Sequence, residues 1–390
     1  MQREGRRTAI AVLGAGSAAV ALVLVIGASG GRPRTGPLIV HAGAKSPPGR
    51  YVRGNSVYDG KGGRAALGAE VSGALMGPLA PVAVSAPSGT GIVYSTWEAL
   101  RTVDPRLSFS KQGIADGDAL GVPSIRLRDD AGRDTMLERG AYSAAWRADG
   151  ALAYFKGSDG QFRAGRPYVG DVYVRPGAHG RSVKWTTEPA RYVVYAWAGD
   201  RLLVYRVGEG ESLELVAADG PGRVRPLADG SAVAISPDGR RVMVASPDAT
   251  SVRVLDVATG REQAWMDVTT ASPALRWIGY SGSWSGDRVV APGSSGLAVF
   301  HVGSGSIDLE QVLALDASQY PAGVEQPRFG DAAGNHVVAS AEVPPKDGLG
   351  GDSYFLDCDR NALTCDRSDP APATEWPRLI TNPSRPGGEG

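Results

Sequence analysis

Residues 231–261 read SAVAISPDGRRVMVASPDATSVRVLDVATGR and leave few options for the fold. Ala232-Val233-Ala234-Ile235 is a short apolar run, and Ser236-Pro237-Asp238-Gly239 is a turn. Proline presets φ at the second turn position, and glycine accepts a φ that a side chain forbids. Residues 241–245 form a second apolar run, residues 251–257 a third that alternates as strands do, and Ala258-Thr259-Gly260-Arg261 turns the chain again. Strands of about five residues joined by tight turns cannot bury both faces alone, so similar units must stack on them.

The second of these turns recurs. Its Gly-Arg ending stands at Gly63-Arg64, Gly132-Arg133, Gly180-Arg181, Gly222-Arg223 and Gly260-Arg261, with weaker copies at Gly305-Ser306 and Asn361-Ala362. Asparagine is the next best residue at positive φ. The intervals are 69, 48, 42, 38, 45 and 56 residues, and a four-stranded propeller blade takes about 40–50. The first turn recurs as Arg147-Ala148-Asp149-Gly150, Ala198-Gly199-Asp200 and Asp331-Ala332-Ala333-Gly334, each flanked by runs of Val, Tyr, Ile and Trp. No long stretch has a helical period. The expectation is an all-β fold, a β-propeller of seven four-stranded blades over residues 49–383, with six blades the alternative and a disordered tail over 384–390.

Ser236-Pro237-Asp238-Gly239 and Leu255-Asp256-Val257-Ala258-Thr259-Gly260 resemble the repeats of bacterial WD-repeat and TolB-like propellers. Arg378-Leu379-Ile380-Thr381-Asn382-Pro383 is similar to the closing piece of a TolB-type repeat. The Gly-His and Trp-Asp pairs of true WD repeats are missing: Leu255-Asp256 stands in the place of Trp-Asp, and Phe300-His301 does so one blade later. The resemblance therefore implies the looser bacterial class. Residues 38–42 are candidates to open the first blade, and 378–383 to complete the first or the last.

Ahead of the repeats, residues 8–28 carry no charge and are dominated by Ala, Val, Leu and Ile. About 20 such residues suffice to cross a bilayer. Arg3, Arg6 and Arg7 precede them, which places residues 1–7 in the cytoplasm and the remainder outside. The same stretch also reads as a signal segment cleaved after Ala28-Ser29-Gly30. Residues 29–48 are a linker apart from the apolar 37–40. The GxGxxA pattern at Gly14-Ala15-Gly16-Ser17-Ala18-Ala19 imitates a dinucleotide fingerprint but lacks the surrounding βαβ unit and the acid about 20 residues on. The GxSxG letters at 27–31 end an apolar run without a strand–turn–helix setting.

Charge excludes some partners. The chain has 41 basic and 41 acidic residues, which argues against nucleic acid. Without residues 1–35 the balance is 36 basic to 40 acidic, a net charge of −4. The four histidines, His41, His179, His301 and His336, share no metal-binding spacing, and no cofactor motif is present. Asp116-Gly117-Asp118 and Asp357-Cys358-Asp359 read as solvated acidic turns, with weak calcium binding the alternative. Cys358 and Cys365 flank the predicted turn at Arg360-Asn361, within disulfide reach of each other, with two buried thiols or a metal site as alternatives. A disulfide closing so small a loop stabilises by about 2–3 kcal/mol at most. No catalytic constellation is found. TolB-like propellers also precede the catalytic domain of prolyl-oligopeptidase-type hydrolases, and the 24 residues after 366 are too few for such a domain. The eight tryptophans are expected to pack between blades.

Three connections between second and third strands are long, roughly residues 96–121, 157–167 and 343–352. The first carries Trp97, Arg101, Asp104, Arg106, Phe109 and Lys111. Long ordered loops are often functional, though a surface excursion without a partner is the plainer reading. The expectation is a monomeric, membrane-tethered, extracytoplasmic module that binds an envelope protein or glycan through this loop. The alternatives are a lactonase-, cyclase- or hydrolase-like enzyme at the channel mouth, or a periplasmic sensor.

Overall fold

Each turn marked by Gly-Arg, and both weaker copies, joins the third and fourth strands of a four-stranded antiparallel sheet. The computed structural model describes residues 34–42, 50–59, 63–69, 71, 83–87, 91–103, 108–272, 275–320, 324–330, 334–343, 352–368, 371–372 and 378–380. Seven sheets follow one another as the blades of a propeller. Blade 2 is built from Ala83–Ser85, Ile92–Ala99, Ala119–Arg128 and Asp134–Arg139, and blade 3 from Ala141–Trp146, Ala151–Gly157, Gly170–Pro176 and Val183–Lys184. Blade 4 holds Arg191–Ala198, Arg201–Val207, Leu213–Ala218 and Val224–Asp229; blade 5 holds Ser231–Ile235, Arg241–Ala245, Ser251–Asp256 and Glu262–Asp267. Blade 6 runs through Ser283–Ser285, Arg288–Gly293, Gly296–Val302 and Ile307–Ala314, and blade 7 through Val324–Phe329, His336–Val343, Asp352–Asp359 and Thr364–Arg367.

Blade 1 closes the ring. Its second to fourth strands are Tyr51–Arg53, Ser56–Tyr58 and Arg64–Ala66, and its first is Arg378–Leu379 from the far end of the sequence. Tyr51 pairs with Leu379, and Ile380 is buried with Val52, Ile92 and Tyr94 between blades 1 and 2. Tyr51 also meets Phe355 of blade 7 edge-on at 4.7 Å. Residues 38–42 do not open blade 1. Arg34–Pro37 lies parallel to the outer strand of blade 6, and Ile39–Ala42 parallel to that of blade 7. Leu38 between them is buried in the blade 6–7 core, which an apolar residue in a polar linker foreshadows.

The turns share a chemistry that the Gly-Arg pair only hints at. An aspartate opens four of them and accepts a backbone N–H further on: Asp59 from Gly63 at 2.8 Å, Asp129 from Arg133 at 2.9 Å, Asp256 from Thr259 at 2.7 Å and Asp359 from Asn361 at 2.8 Å. Gly260 then takes φ +71°, where a side chain would be strained. In blade 7 the positive φ falls on Leu363 (+56°) rather than Asn361. Asp359 also holds the Ala362 N–H, at 3.0 Å, which defers the left-handed residue.

Blades join through bulges on their first strands. Register shifts occur at Tyr142/Ala144, Val194/Ala196 and Ala232/Ala234 in blades 3, 4 and 5. The extra residues reach across the seams. Ser143 Oγ donates to the Val194 carbonyl at 2.7 Å, Tyr195 Oη donates to the Val233 carbonyl at 3.4 Å, and Gly282 N donates to that same carbonyl at 2.7 Å. Trp197 Nε1 donates to the Ala145 carbonyl at 3.0 Å. Trp146, Trp197 and Trp284 are buried as expected, whereas Trp265 and Trp277 are exposed and Trp376 lies outside the described residues.

Tyr205 of blade 4 bonds both backbone groups of one residue across its seam. Its hydroxyl donates to the Ala232 carbonyl at 3.2 Å and accepts the Ala232 N–H at 2.9 Å, in full burial. Burial raises this phenol well above its ordinary pKa. A raised pKa favours the neutral, folded form below the unfolded value near 10, and that contribution is lost as pH climbs toward the folded value. Tyr205→Phe leaves a buried N–H and carbonyl unpaired, so urea unfolding at neutral pH should show a loss of about 1–3 kcal/mol. The variant should also lose less stability than the wild type as pH rises above about 10. Equal stability at neutral pH and equal alkaline slopes would remove this seam from the account.

Candidate functional site

The second-to-third connection of blade 2 and that of blade 3 clasp each other. Phe162–Arg163, inside the blade 3 connection, adds as a short antiparallel strand to Ala119–Arg128 of blade 2, with Phe162 opposite Gly121 and Arg163 opposite Ala119. Backbone bonds continue the clasp: Gly117 N donates to the Ala164 carbonyl and Ala164 N to the Asp118 carbonyl, both at 2.9 Å. Arg163 Nη1 donates to the Gly117 carbonyl at 3.0 Å. The described parts of the two loops form one lip over adjacent blades.

The lip has its own small core. Ile114, Leu120 and Ala164 are buried there, with Trp97 and Val103 packed against them. The Trp97 ring lies on Gly121, where a Cβ would run into the ring and the Glu98 carbonyl. Trp97 also meets Phe162 edge-on at 5.3 Å, and Phe162 stacks on Tyr168 at 4.1 Å. Tyr168 donates its hydroxyl to the Gly140 carbonyl at 2.7 Å, and burial raises its pKa. The aromatic column roots the lip in blade 3.

The residues singled out from sequence take different positions. Trp97 is half-buried and holds the lip together. Arg101 is paired with Asp118 at 3.1 Å on the surface, where an ion pair stabilises by only about 0–1 kcal/mol. Asp118 also accepts the Ala115 N–H at 3.0 Å, so this acidic turn is a loop brace. Phe109 and Lys111 sit in a 3-10 turn, Phe109–Gln112, closed by Gly113 at φ +69°. Both are exposed, Phe109 at 38%, and Leu100 on the same lip is 44% exposed. Asp104 and Arg106 lie outside the described residues, as do the apolar segment 8–28 and most of the third long loop. Sequence reasoning missed Phe162 and Arg163, because two residues in a polar loop give too little alternation to read as a strand.

Other charged groups form seams. Glu138 of blade 2 accepts from Lys156 at 2.5 Å and Arg175 at 3.3 Å of blade 3. Asp134 accepts from Arg126 at 2.7 Å, from Tyr94, and from Gly68 N at 3.1 Å near blade 1. Burial alone would raise Glu310, but Arg288 and Arg360, each at 2.8 Å, hold its carboxyl below the usual range. His301 and His336 face Asp287 and Asp357 at 3.0 and 3.3 Å. Among the described residues no group of three His, Cys, Asp or Glu side chains is placed to hold a metal ion. Cys358 and Cys365 are disulfide-bonded, with Cα atoms 3.9 Å apart. Among the described residues no helix is long and apolar enough to cross a membrane.

No protein-family model and no curated protein matches the chain. Solved structures that resemble it include β-propeller domains. The propeller domain of the Trilobed protease from Pyrococcus furiosus, titled as having an open velcro topology, is 12% identical with a TM-score of 0.45, over 82% of this chain and 89% of that one. The putative TolB of Agrobacterium tumefaciens is 14% identical with a TM-score of 0.38, over 64% and 88%. Pyrococcus horikoshii acylaminoacyl peptidase is 11% identical with a TM-score of 0.45, over 82% of this chain but only 47% of its own. This chain thus spans about half the length of that peptidase.

Gly121→Ala tests the lip's construction. The methyl group must displace Trp97, so limited trypsin digestion should cut faster at Lys111 than in the wild type. Global unfolding should shift little, by about 1–3 kcal/mol at most. An unchanged digestion rate would mean that the Trp97 contact does not order the lip.

Proposed function

We propose that this protein is a membrane-tethered, extracytoplasmic propeller that acts as a binding module of the cell envelope, contacting a protein or glycan partner through the blade 2–3 lip. The observation that carries the reading is the clasp itself. Two connections that could each be a short turn are long, and their described parts are joined by pairing, a private core and an aromatic column. Ordering each residue costs about 1–2 kcal/mol of backbone entropy, so a rigid excursion of this size needs compensating contacts. These contacts hold an exposed Phe109, Leu100 and Lys111 on a fixed frame. A rigid aromatic anchor beside a cation suits recognition at low entropic cost. The tether is read from the uncharged segment 8–28 behind its three arginines.

A pull-down from envelope extract tests the reading. The bait is a soluble form spanning residues 33–390, compared with one in which residues 100–118 are replaced by a short Gly-Ser turn. Phe109→Asp is the third bait, since an exposed substitution should leave stability within about 0.5 kcal/mol. A partner retained by the first bait and lost from the other two supports the lip. Equal recovery by all three, or empty recovery by the first, counts against it.

A further inference from the structure

Residues 34–42 run along the outer strands of blades 6 and 7, and their second half pairs beside the strand that carries Cys365. Val40 pairs opposite Cys365 on the outer strand of blade 7, and Cys365 pairs opposite Cys358 on the third strand. Three successive strands therefore carry Val40, Cys365 and Cys358 at one level. Both cysteines are buried in the cluster that includes Leu38, Val337 and Leu356, with Val40 and Leu363 packed against it. Ile39 N donates to the Leu363 carbonyl at 2.9 Å, and Leu38 N to the Ala314 carbonyl at 2.8 Å.

The strand beneath the segment is short. Thr364–Arg367 has four residues, and each pairs with the third strand. A four-residue strand at an edge has little stability of its own, so the covalent link at its centre fixes the surface on which residues 39–42 lie. The dependence also runs the other way. Thiol–disulfide exchange requires a thiolate to reach a sulfur, and both cysteines are buried in a cluster that Leu38 joins and Val40 packs against. If the bond favours docking, docking must favour the bond equally.

We propose that the Cys358–Cys365 disulfide and residues 34–42 form a redox-sensitive latch on blades 6 and 7. With the bond intact the segment is docked. A dithiol reductant opens the bond, becoming a disulfide itself while Cys358 and Cys365 each gain an electron and a proton. The outer strand and the segment are then released together. Nine freed residues add roughly 30 Å of extended chain between the ring and residues 1–33. The latch goes beyond the binding reading and stands without it.

Amide hydrogen exchange on the full chain, oxidised and after dithiothreitol, tests one direction. Residues 34–42 and 364–367 should exchange roughly ten-fold faster or more after reduction, with blades 3–5 unchanged. Unchanged exchange in 34–42 overturns the latch, and so does loss of protection in all blades alike. The double variant Cys358→Ser/Cys365→Ser should reproduce the reduced pattern without reductant. Leu38→Asp tests the other direction, with strand circular dichroism to verify its fold. Its disulfide should be reduced by dithiothreitol roughly ten-fold faster than in the wild type, read by thiol labelling. Equal rates mean that the segment does not guard the sulfurs, and overturn the proposal.

Discussion

Hydrogen bonds between neighbouring blades, several of them made at bulges in the first strands, join blades 3 to 6 of this ring. A four-stranded sheet in isolation would expose two apolar faces, and burial against neighbours is what stabilises it. Non-directional burial alone would let blades slide past one another. Ser143, Tyr195, Trp197 and Tyr205 prevent this, because each bonds a backbone group of an adjacent blade. Ser143 occupies φ +53° to do so, a conformation that a serine adopts only when its surroundings impose it. The seams also set where the loops emerge, and so bring the connections of blades 2 and 3 close enough to clasp.

Much of this ring was legible in the sequence, for a local reason. Five Gly-Arg pairs mark the turns between third and fourth strands, and in three of them, at Gly132, Gly222 and Gly260, the glycine takes a positive φ. The aspartates at 59, 129, 256 and 359 were equally visible and would have strengthened the signal, since each caps its own turn. Closure was legible only as far as naming residues 378–383 as candidates to complete the first or the last blade. The pairing of Tyr51 with Leu379 spans nearly the whole chain, and two residues of strand leave no periodic trace. Residues 34–42 defeated the reading differently. RTGPLIVHA carries a proline and a glycine that suggest a linker, yet its strands are edge strands, where proline is tolerated.

The lip divides along the same line. Its length and its place between second and third strands follow from strand spacing, so residues 96–121 and 157–167 stood out early. Which of its side chains face inward does not follow from spacing. Trp97, one of the candidate binding residues, packs its ring on Gly121, while Phe109 is left on the surface. That partition depends on Phe162 crossing from the next blade, a tertiary contact without a local signature. The clasp leaves a stiff frame bearing a few exposed groups, which is the property a recognition surface requires.

The central claim is that this frame, rather than the ring's rim, meets the partner. Photo-crosslinking in intact cells tests it most directly, with a benzophenone amino acid replacing Phe109 in one strain and Met136, exposed on the outer strand of blade 2, in another. The account predicts a discrete crosslinked adduct from position 109 and none from position 136. Adducts of equal yield from both positions, or none from 109, would contradict it.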